Sequence, residues 1–436
     1  MAALWPSGGW RRLAARLPLL LAVPHVAFAT AALLLFADGG WLSRLLPFFT
    51  PPVDRYGIGL GLTMALKESA FLLWVVYGLL GEKRLAGQAT VLKSLGYGRW
   101  QCLKWLVLPT LLPALSIALL ATAAWSLSAV DVALVIGPGN PPTLAVLAWQ
   151  WLSQGDEIQQ AKGALASLVL LLTLAIMALA AWGVWRLWRR RIPQVQGIRR
   201  PQPRALAGKS FALLLPLCGV ACALLLAAAT QNSQPVSDSV GNSLWLGLCS
   251  ASLGAVICLL WLASGPSRFD GWIWLPLILP ALPLVDGQYQ LALYTWLDGE
   301  WVAVLWGHLL WVVPWMLFIL RPAWRARDPR MELLARTLGW QQGRIFWLVT
   351  LPALTRPLLT ALAVGFSVSI AQYLPTLWLG GGRFPTLTSE AVALSSGGET
   401  STLAAQALWQ LLLPALFFAA TALLAWLTGR YRQGLR

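Results

Sequence analysis

The sequence predicts an all-α integral membrane protein of about ten transmembrane helices, arranged as two repeated bundles. Three observations support this prediction. Of the 436 residues, 58% are hydrophobic and 11% are charged, with a mean hydropathy of +0.67, which is more apolar surface than a soluble fold can bury. Apolar runs near the ~20 residues that cross a bilayer recur along the chain. Segments of the two halves also match each other at a constant spacing.

Ten apolar runs are long enough to span a bilayer. They lie at 17–37, 57–80, 106–136, 164–185, 211–230, 242–264, 272–293, 301–320, 350–376 and 408–428. The seventh run contains Pro276, Pro280 and Pro283, which interrupt helical hydrogen bonding. The first run follows three arginines but shows no small-residue cleavage site, so it is interpreted as a retained helix rather than a signal peptide.

The positive charges predict the orientation of these helices. The net charge is +16, and the basic residues concentrate in alternate connections, at 11–16, 82–104, 186–209, 321–344 and 430–436. Basic connections face the cytoplasm in bacterial inner-membrane proteins. We therefore expect a multi-pass membrane protein with both termini cytoplasmic. Charge confined to such connections is not typical of a nucleic-acid-binding face, so no nucleic acid is expected as a partner.

The domain organisation is predicted from one basic, proline-containing segment. Residues 186–209 lack apolar periodicity and are interpreted as a cytoplasmic linker between a first half, 1–185, and a second half, 210–436. Pro24 and Pro280 align at an offset of 280 − 24 = 256, which leaves about four helices in the first half and six in the second. This alignment suggests two hypotheses, a shortened first half or a start codon placed too late.

Two loops share one motif. Leu95-Gly96 is followed by Leu108-Pro109, and Leu338-Gly339 is followed by Leu351-Pro352, with 339 − 96 = 352 − 109 = 243. The glycine can end a short helix in a left-handed conformation, and the proline opens the return into the membrane. This pattern favours a docking element for a partner on the basic side. An ordinary interfacial helix is the alternative.

The same loops resemble the signature loop of bacterial ABC-importer permeases. That signature is a glycine, nine residues, and a hydrophobic position two residues before Leu-Pro, with a Glu-Ala-Ala stretch upstream. Val349-Thr350-Leu351-Pro352 and Leu106-Val107-Leu108-Pro109 match its end. The upstream stretch is replaced by Leu333-Leu334-Ala335 and Thr90-Val91-Leu92. Two fused halves are similar to the ferric-iron and thiamine importer class.

This resemblance implies the type I ABC-importer permease fold, a location in the bacterial inner (plasma) membrane and a set of partners. The partners are a cytoplasmic ABC ATPase in two copies, a periplasmic substrate-binding protein and the lipid bilayer. The chain itself is expected to bind no cofactor or metal and to carry no catalytic residue. The resemblance places ATPase docking at Leu95, Gly96, Leu108, Pro109, Glu332, Ala335, Leu338, Gly339, Leu351 and Pro352.

Polar residues within apolar runs are candidates for a translocation pathway, because they are costly there and often functional. The candidates are Lys67, Glu68, Ser128, Asp131, His308, Ser369 and Gln372. Ser126 and Ser367 accompany them in the same segments. Matched positions of two halves could line a central channel. Hydrogen bonding between helices is the alternative role for each residue.

A secondary transporter and a membrane enzyme are the two alternatives to a permease. A secondary transporter also has repeated halves, but it works without ATP and needs no paired docking loops. A membrane enzyme needs a catalytic cluster at one membrane face, and no carboxylate pair or nucleophile–base spacing stands out. The five cysteines, which include Cys218 and Cys222 in an apolar helix, suggest packing rather than a metal or redox site. A permease driven by a separate ATPase is the favoured interpretation.

Overall fold

The computed structural model describes residues 23–37, 40–46, 48, 54–82, 85–192, 208–231, 235–264, 271–397 and 399–431. Every regular element among these residues is a helix. The α-helices are α1 His25–Phe36, α2 Trp41–Leu45, α3 Ile58–Glu82, α4 Leu85–Ser94, α5 Arg99–Cys102, α6 Leu108–Ser128, α7 Val130–Ile136, α8 Leu144–Leu152, α9 Glu157–Arg190, α10 Gly208–Ala229, α11 Ser237–Ser264, α12 Leu275–Ile278, α13 Ala281–Tyr294, α14 Trp301–Arg325, α15 Pro329–Thr337, α16 Gln342–Ile345, α17 Leu351–Ile370, α18 Leu374–Gly380, α19 Leu387–Ser395 and α20 Thr400–Tyr431.

Eight stretches of the described chain are long and apolar enough to cross a membrane. They are His25–Leu45, Ile58–Leu79, Trp100–Ser128, Glu157–Arg190, Ser237–Ser264, Trp301–Arg325, Gln342–Ile370 and Thr400–Thr428. The predicted run 211–230 lies in α10, where Leu217–Ala229 qualifies only as a shorter apolar helix. The run 272–293 is divided among a 3₁₀ turn, α12 and α13, because its prolines cannot donate backbone hydrogen bonds. The count of ten spans stays a prediction.

The chain forms two compact units. One contains the described residues up to Ala228 together with Ile278–Pro283, and the other contains Ala229–Leu277 and the described residues from Leu284 onward. Helix α10, which the sequence analysis assigns to the second half, therefore falls in the first unit, where the Cys222 Sγ lies 3.8 Å from the carbonyl oxygen of Ala27. Residues 193–207 of the predicted linker lie outside the described residues. The predicted division into two halves stays a prediction.

Helix boundaries recur at the spacing of the sequence motif. Helix α3 begins at 58 and α14 at 301, so 301 − 58 = 243, and their ends give 325 − 82 = 243. Helices α8 and α19 repeat this offset at both ends, with 387 − 144 = 395 − 152 = 243. Two five-residue π-helical turns, Leu103–Val107 and Phe346–Thr350, also lie 243 residues apart. These recurring boundaries are consistent with the predicted repeat, which stays a prediction.

Small residues allow the helices of the second unit to approach closely. Helix α17 packs against α11, α14 and α20. Met316 faces both Gly254 and Gly365, where an added Cβ would lie 2.9 and 2.6 Å from its sulfur. Phe366 is buried and stacks on Phe417 with the ring centroids 4.4 Å apart. Glycine contacts of this kind are typical of membrane helices, whose association depends on close packing.

In the first unit, an apolar cluster forms where helices α3 and α6 pack together. Helix α1 packs against α7 and α3 packs against α6. Leu85, Val107 and Leu111 are buried together, with Val76 and Leu79 packed against them. This cluster joins the start of α4 to the segment that leads into α6. Its packing positions the first motif-bearing loop.

Replacing Gly247 by alanine should destabilise the second unit. The new methyl would lie 2.7 Å from the Phe366 ring, and a buried, stacked ring cannot easily move, so we expect a loss of about 1–3 kcal/mol. Gly241→Ala is the matched control in the same helix, because nothing lies within 4 Å of its added Cβ. Thermal unfolding of both variants in detergent checks this, and equal transition temperatures would contradict it.

Candidate functional site

The first motif loop ends its helix at a left-handed glycine. Gly96 has φ 88°. Its N–H donates to the carbonyl of Lys93 at 3.0 Å, and the N–H of Tyr97 donates to Leu92 at 3.1 Å. These two bonds form a Schellman motif, which satisfies the last carbonyls of a helix and favours glycine at the left-handed position. Gly96 therefore sets where α4 stops and where the chain turns back.

The second loop repeats this geometry. Asp328 caps α15 by accepting a hydrogen bond from the Arg330 N–H at 3.0 Å. Gly339 has φ 76°, and its N–H donates to Arg336 at 2.9 Å. The N–H of Trp340 donates to Ala335 at 3.1 Å. The two motif glycines thus perform the same local function.

Each loop returns through a widened helical turn. The N–H of Leu108 donates to the carbonyl of Leu103, and that of Leu351 donates to Phe346, five residues back in both cases. Pro109 and Pro352 follow at the first turns of α6 and α17. Proline has no N–H and its ring clashes with the carbonyl four residues earlier, so a wider turn accommodates it. The two prolines are visible in the sequence, but the π-helical turns before them were not predicted from it.

The second loop exposes three leucines, two in α15 and one at its C-terminal cap. Leu333, Leu334 and Leu338 are 63%, 56% and 67% exposed, whereas Ala335 is buried. In the first loop, Val91 and Leu95 are exposed. Buried Ala335 lies on the inward face of its helix, together with Glu332 three residues earlier. The docking residues of the resemblance are therefore divided between an outward apolar face and an inward face.

The first unit contains a cluster of ionisable side chains within its apolar helices. The Nε2 of His25 lies 2.6 Å from the Oε1 of Glu68. Lys67 is buried close to Glu68 and Cys222, and buried Asp131 lies close enough to His25 to interact electrostatically. The structure thus brings together Lys67, Glu68 and Asp131 from the predicted pathway. It also adds His25. The sequence gave no indication that His25 lies beside Glu68, because the two residues are 43 positions apart.

Ser128 and Asp131 lie where α6 gives way to α7. The Ser128 hydroxyl donates to the carbonyl of Ala124 at 2.7 Å and accepts the N–H of Ala281 at 3.1 Å. Ala281 belongs to the short segment that folds with the first unit. Asp131 is in the first turn of α7, where the backbone N–H of Val132 faces its carboxylate. A carboxylate is stabilised at this end of a helix. Ser126 is exposed and lies outside this cluster.

The second unit contains a neutral polar cluster around buried His308. Its Nδ1 and Nε2 lie 2.8 Å from the hydroxyls of Ser369 and Thr376. The Thr376 hydroxyl donates its hydrogen to the carbonyl oxygen of Gln372 at 3.2 Å. It therefore accepts from Nε2–H, and Nδ1 accepts from Ser369. The Gln372 side chain donates to the carbonyl of His308 at 3.1 Å.

This network joins three of the predicted pathway residues and one that the sequence analysis missed. His308, Ser369 and Gln372 lie together, whereas the Ser367 hydroxyl bonds to Ala363 within its own helix. The Oε1 of Gln372 is buried and finds no donor among the described residues. Thr376 follows Pro375 at the start of α18. Its closeness to Ser369 in the sequence was the only sign that the two residues could share a site. The described residues contain no group of three or more metal-ligating side chains.

Comparisons with known proteins define the class of this chain. Residues 210–432 match the family described as "Binding-protein-dependent transport system inner membrane component". Over 436 residues, 100% of this chain and 85% of the relative, it is 61% identical to the "Inner membrane ABC transporter permease protein YnjC" of Escherichia coli strain K12. Over 162 residues, 33% of this chain and 67% of the relative, it is 28% identical to the "Molybdenum transport system permease protein ModB" of Haemophilus influenzae.

The chain is a multi-span, non-catalytic permease subunit of an inner-membrane ABC transporter. It belongs to the family of binding-protein-dependent transport system inner membrane components. The permease prediction is therefore confirmed, and family membership decides against the secondary transporter and the membrane enzyme. The inner-membrane location is confirmed as well.

The His308 network predicts different effects for two serines of α17. Ser369→Ala removes the hydroxyl that donates to buried His308, so we expect a loss of about 1–3 kcal/mol of stability. Ser367→Ala removes only a bond within the helix and should change stability by less than about 0.5 kcal/mol. Denaturation of the purified variants measures both. Similar losses for the two serines would show that the network contributes nothing specific.

Proposed function

We propose that this permease has two fused halves, of about ten helices in all, and that its two motif loops dock two copies of a separate cytoplasmic ATPase. The recurrence of helix boundaries at one offset supports the fused halves. Identical Schellman geometry at Gly96 and Gly339 supports two equivalent docking loops. The basic connections support a cytoplasmic position for these loops and for both termini.

The exposed leucines of the second loop are the single observation that carries the docking proposal. A short helix outside the bilayer that turns apolar side chains outward leaves them exposed to water, which costs free energy unless something covers them. Leu333, Leu334 and Leu338 have this orientation because Ala335 faces inward. Val91 and Leu95 are the exposed apolar residues of the first loop. A protein partner with a hydrophobic cleft would cover both sets, whereas a bilayer surface would cover them if the loops were interfacial helices.

The transport mechanism that follows is alternating access. Closure of the ATPase dimer on ATP draws the loops around Gly96 and Gly339 together, and the helices attached to them open the path to the outside. A loaded periplasmic binding protein then releases its substrate into the path, and hydrolysis resets the protein. The permease performs no chemical step. Selection of the substrate depends largely on the binding protein.

We also propose that the two polar clusters belong to the translocation path. The members are Lys67, Glu68, Ser128 and Asp131 in the first unit and His308, Ser369 and Gln372 in the second. They are buried within apolar helices, where polar groups are retained at a cost. The Gln372 Oε1 has no donor among the described residues, so it is an acceptor that a polar substrate can engage. Their hydrogen bonds to one another also fit interhelical contacts, and transport assays separate the two roles.

The docking proposal predicts recovery of an ATPase with the tagged protein from native membranes in mild detergent. Mass spectrometry should find two copies for each permease. Gly339→Val forces a β-branched residue to a positive φ and should lower recovery roughly tenfold. Gly343→Ala is the control, because its added Cβ meets open space and its φ is not positive. Recovery of the permease alone, or equal recovery with both variants, would contradict the proposal.

The pathway proposal predicts that Asp131→Ala abolishes uptake without affecting ATPase recovery. The substrate for uptake into proteoliposomes is the ligand that copurifies with the periplasmic binding protein. A polar substrate that loses its contact with a buried carboxylate should be transported at least about tenfold more slowly. Asp298→Ala, which removes an exposed carboxylate, serves as the control. Normal uptake at normal protein levels would remove Asp131 from the path.

A further inference from the structure

The charged side chain of Arg327 connects the second docking loop to its membrane helices. Arg327 lies between α14 and α15, and its guanidinium stacks over the ring of Trp324 at 3.6 Å. Its Nε donates to the carbonyl of Trp324 at 3.0 Å, and its Nη1 pairs with the Oε1 of Glu332. The hydroxyl of Thr350 donates to that same oxygen at 3.1 Å. We call this set, Trp324, Arg327, Glu332 and Thr350, the Glu332 link.

The Glu332 link joins three successive parts of the chain. Trp324 is in the last turn of α14, Glu332 is in α15, and Thr350 is the final residue of the π-helical turn that leads into α17. Thr350 is buried, and the side chains of Arg327 and Glu332 are only 17% and 28% exposed. Charge-assisted hydrogen bonds in such a half-buried position are stronger than those of an exposed ion pair. The carboxylate therefore holds α15 against both neighbouring helices.

Among the described residues, the first docking loop shows no counterpart of this link; Arg84, which corresponds to Arg327 (327 − 84 = 243), lies outside them. At the offset of 243, Glu332 corresponds to Ala89 (332 − 89), Thr350 to Val107 (350 − 107) and Trp324 to Gly81 (324 − 81). Alanine and valine can neither pair with an arginine nor donate a hydrogen bond. Instead, Leu85, Val107 and Leu111 are buried together at this position. The two loops share one backbone geometry but differ in how they are attached.

We propose that Glu332 is a positioning residue that transmits motion from the docked ATPase to α17, and that it is not itself an ATPase contact. This inference rests on the proposed docking function. One oxygen of its carboxylate is already engaged by Arg327 and Thr350 of the same chain, so it faces inward with Ala335. The outward leucines remain for docking. Transmission through the second loop then depends on one charge, whereas the first loop transmits by apolar packing.

Two substitutions break the Glu332 link in independent ways. Thr350→Val removes one hydrogen bond at a buried position and installs the residue that the first loop carries at Val107. Glu332→Leu removes the carboxylate and leaves an apolar helix surface like that of Leu333 and Leu334. Arg330→Gln is the control, because it removes an exposed charge from the same helix without touching the link.

The experiment uses the full-length permease with its captured ATPase in lipid nanodiscs. Backbone hydrogen exchange is compared with and without ATP plus vanadate, which traps the closed ATPase. In the wild type and Arg330→Gln, trapping should change exchange both in 99–128 and in 342–370. In Thr350→Val and Glu332→Leu, recovery of the ATPase should be unchanged, and the response of 342–370 should fall about tenfold. The response of 99–128 should persist as an internal control.

Each other outcome decides against the inference. An undiminished response of 342–370 in both variants would show that the link transmits nothing. Loss of ATPase recovery in Glu332→Leu, with normal thermal stability, would make Glu332 a docking contact instead. A wild-type permease that captures no ATPase would overturn the proposed function, and the inference with it. Capture by the wild type with no effect of either variant would overturn the inference alone.

Discussion

The need to satisfy every backbone polar group in lipid governs this structure. The bilayer core offers no water to N–H and C=O groups, so the spanning segments are helices, and each helix break within an apolar region requires polar side chains. Breaks occur at Ala129 and around Gln372, which are 372 − 129 = 243 residues apart. At the second break, the hydroxyl of Thr388 donates to the last carbonyl of α17, that of Ile370, at 2.5 Å. Buried Ser128, Asp131, Ser369 and Thr376 lie close to these two breaks.

The two helix breaks adjoin different kinds of side chain. The break in the first unit adjoins an ionisable group formed by His25, Glu68, Lys67 and Asp131. The break in the second unit adjoins His308 and neutral hydroxyl and amide groups. The two motif loops differ in the same way, since the second is held by a carboxylate and the first by leucine and valine. Backbone geometry is repeated, and the side-chain contacts that stabilise it are not.

The features that could be predicted from the sequence are those that depend on local composition. Apolar length predicts most of the spans, and the positions of Gly96 and Gly339 predict where two short helices end. The prolines of 272–293 already indicate that this run is interrupted. These predictions succeed because span length and left-handed glycines depend on a few neighbouring residues.

Features that depend on distant contacts could not be predicted. His25 and Glu68 are 43 residues apart, and nothing near either residue specifies the other. The motif resemblance gives no direction for the Glu332 side chain, whose contacts with Arg327 and Thr350 come from residues 5 and 18 positions away. Helix α10 falls in the first compact unit because of packing such as that between Cys222 and Ala27, which no local pattern reveals.

The fixed count of residues between each motif glycine and its proline has a geometric consequence. A helix rotates by about 100° for each residue added. A single insertion after Gly339 would therefore turn the returning helix α17 by more than a quarter revolution relative to α15. Both loops keep the same count, so both present their surfaces at the same rotation about the helix axis. A partner with two identical faces can meet both loops in the same way only while these counts stay equal.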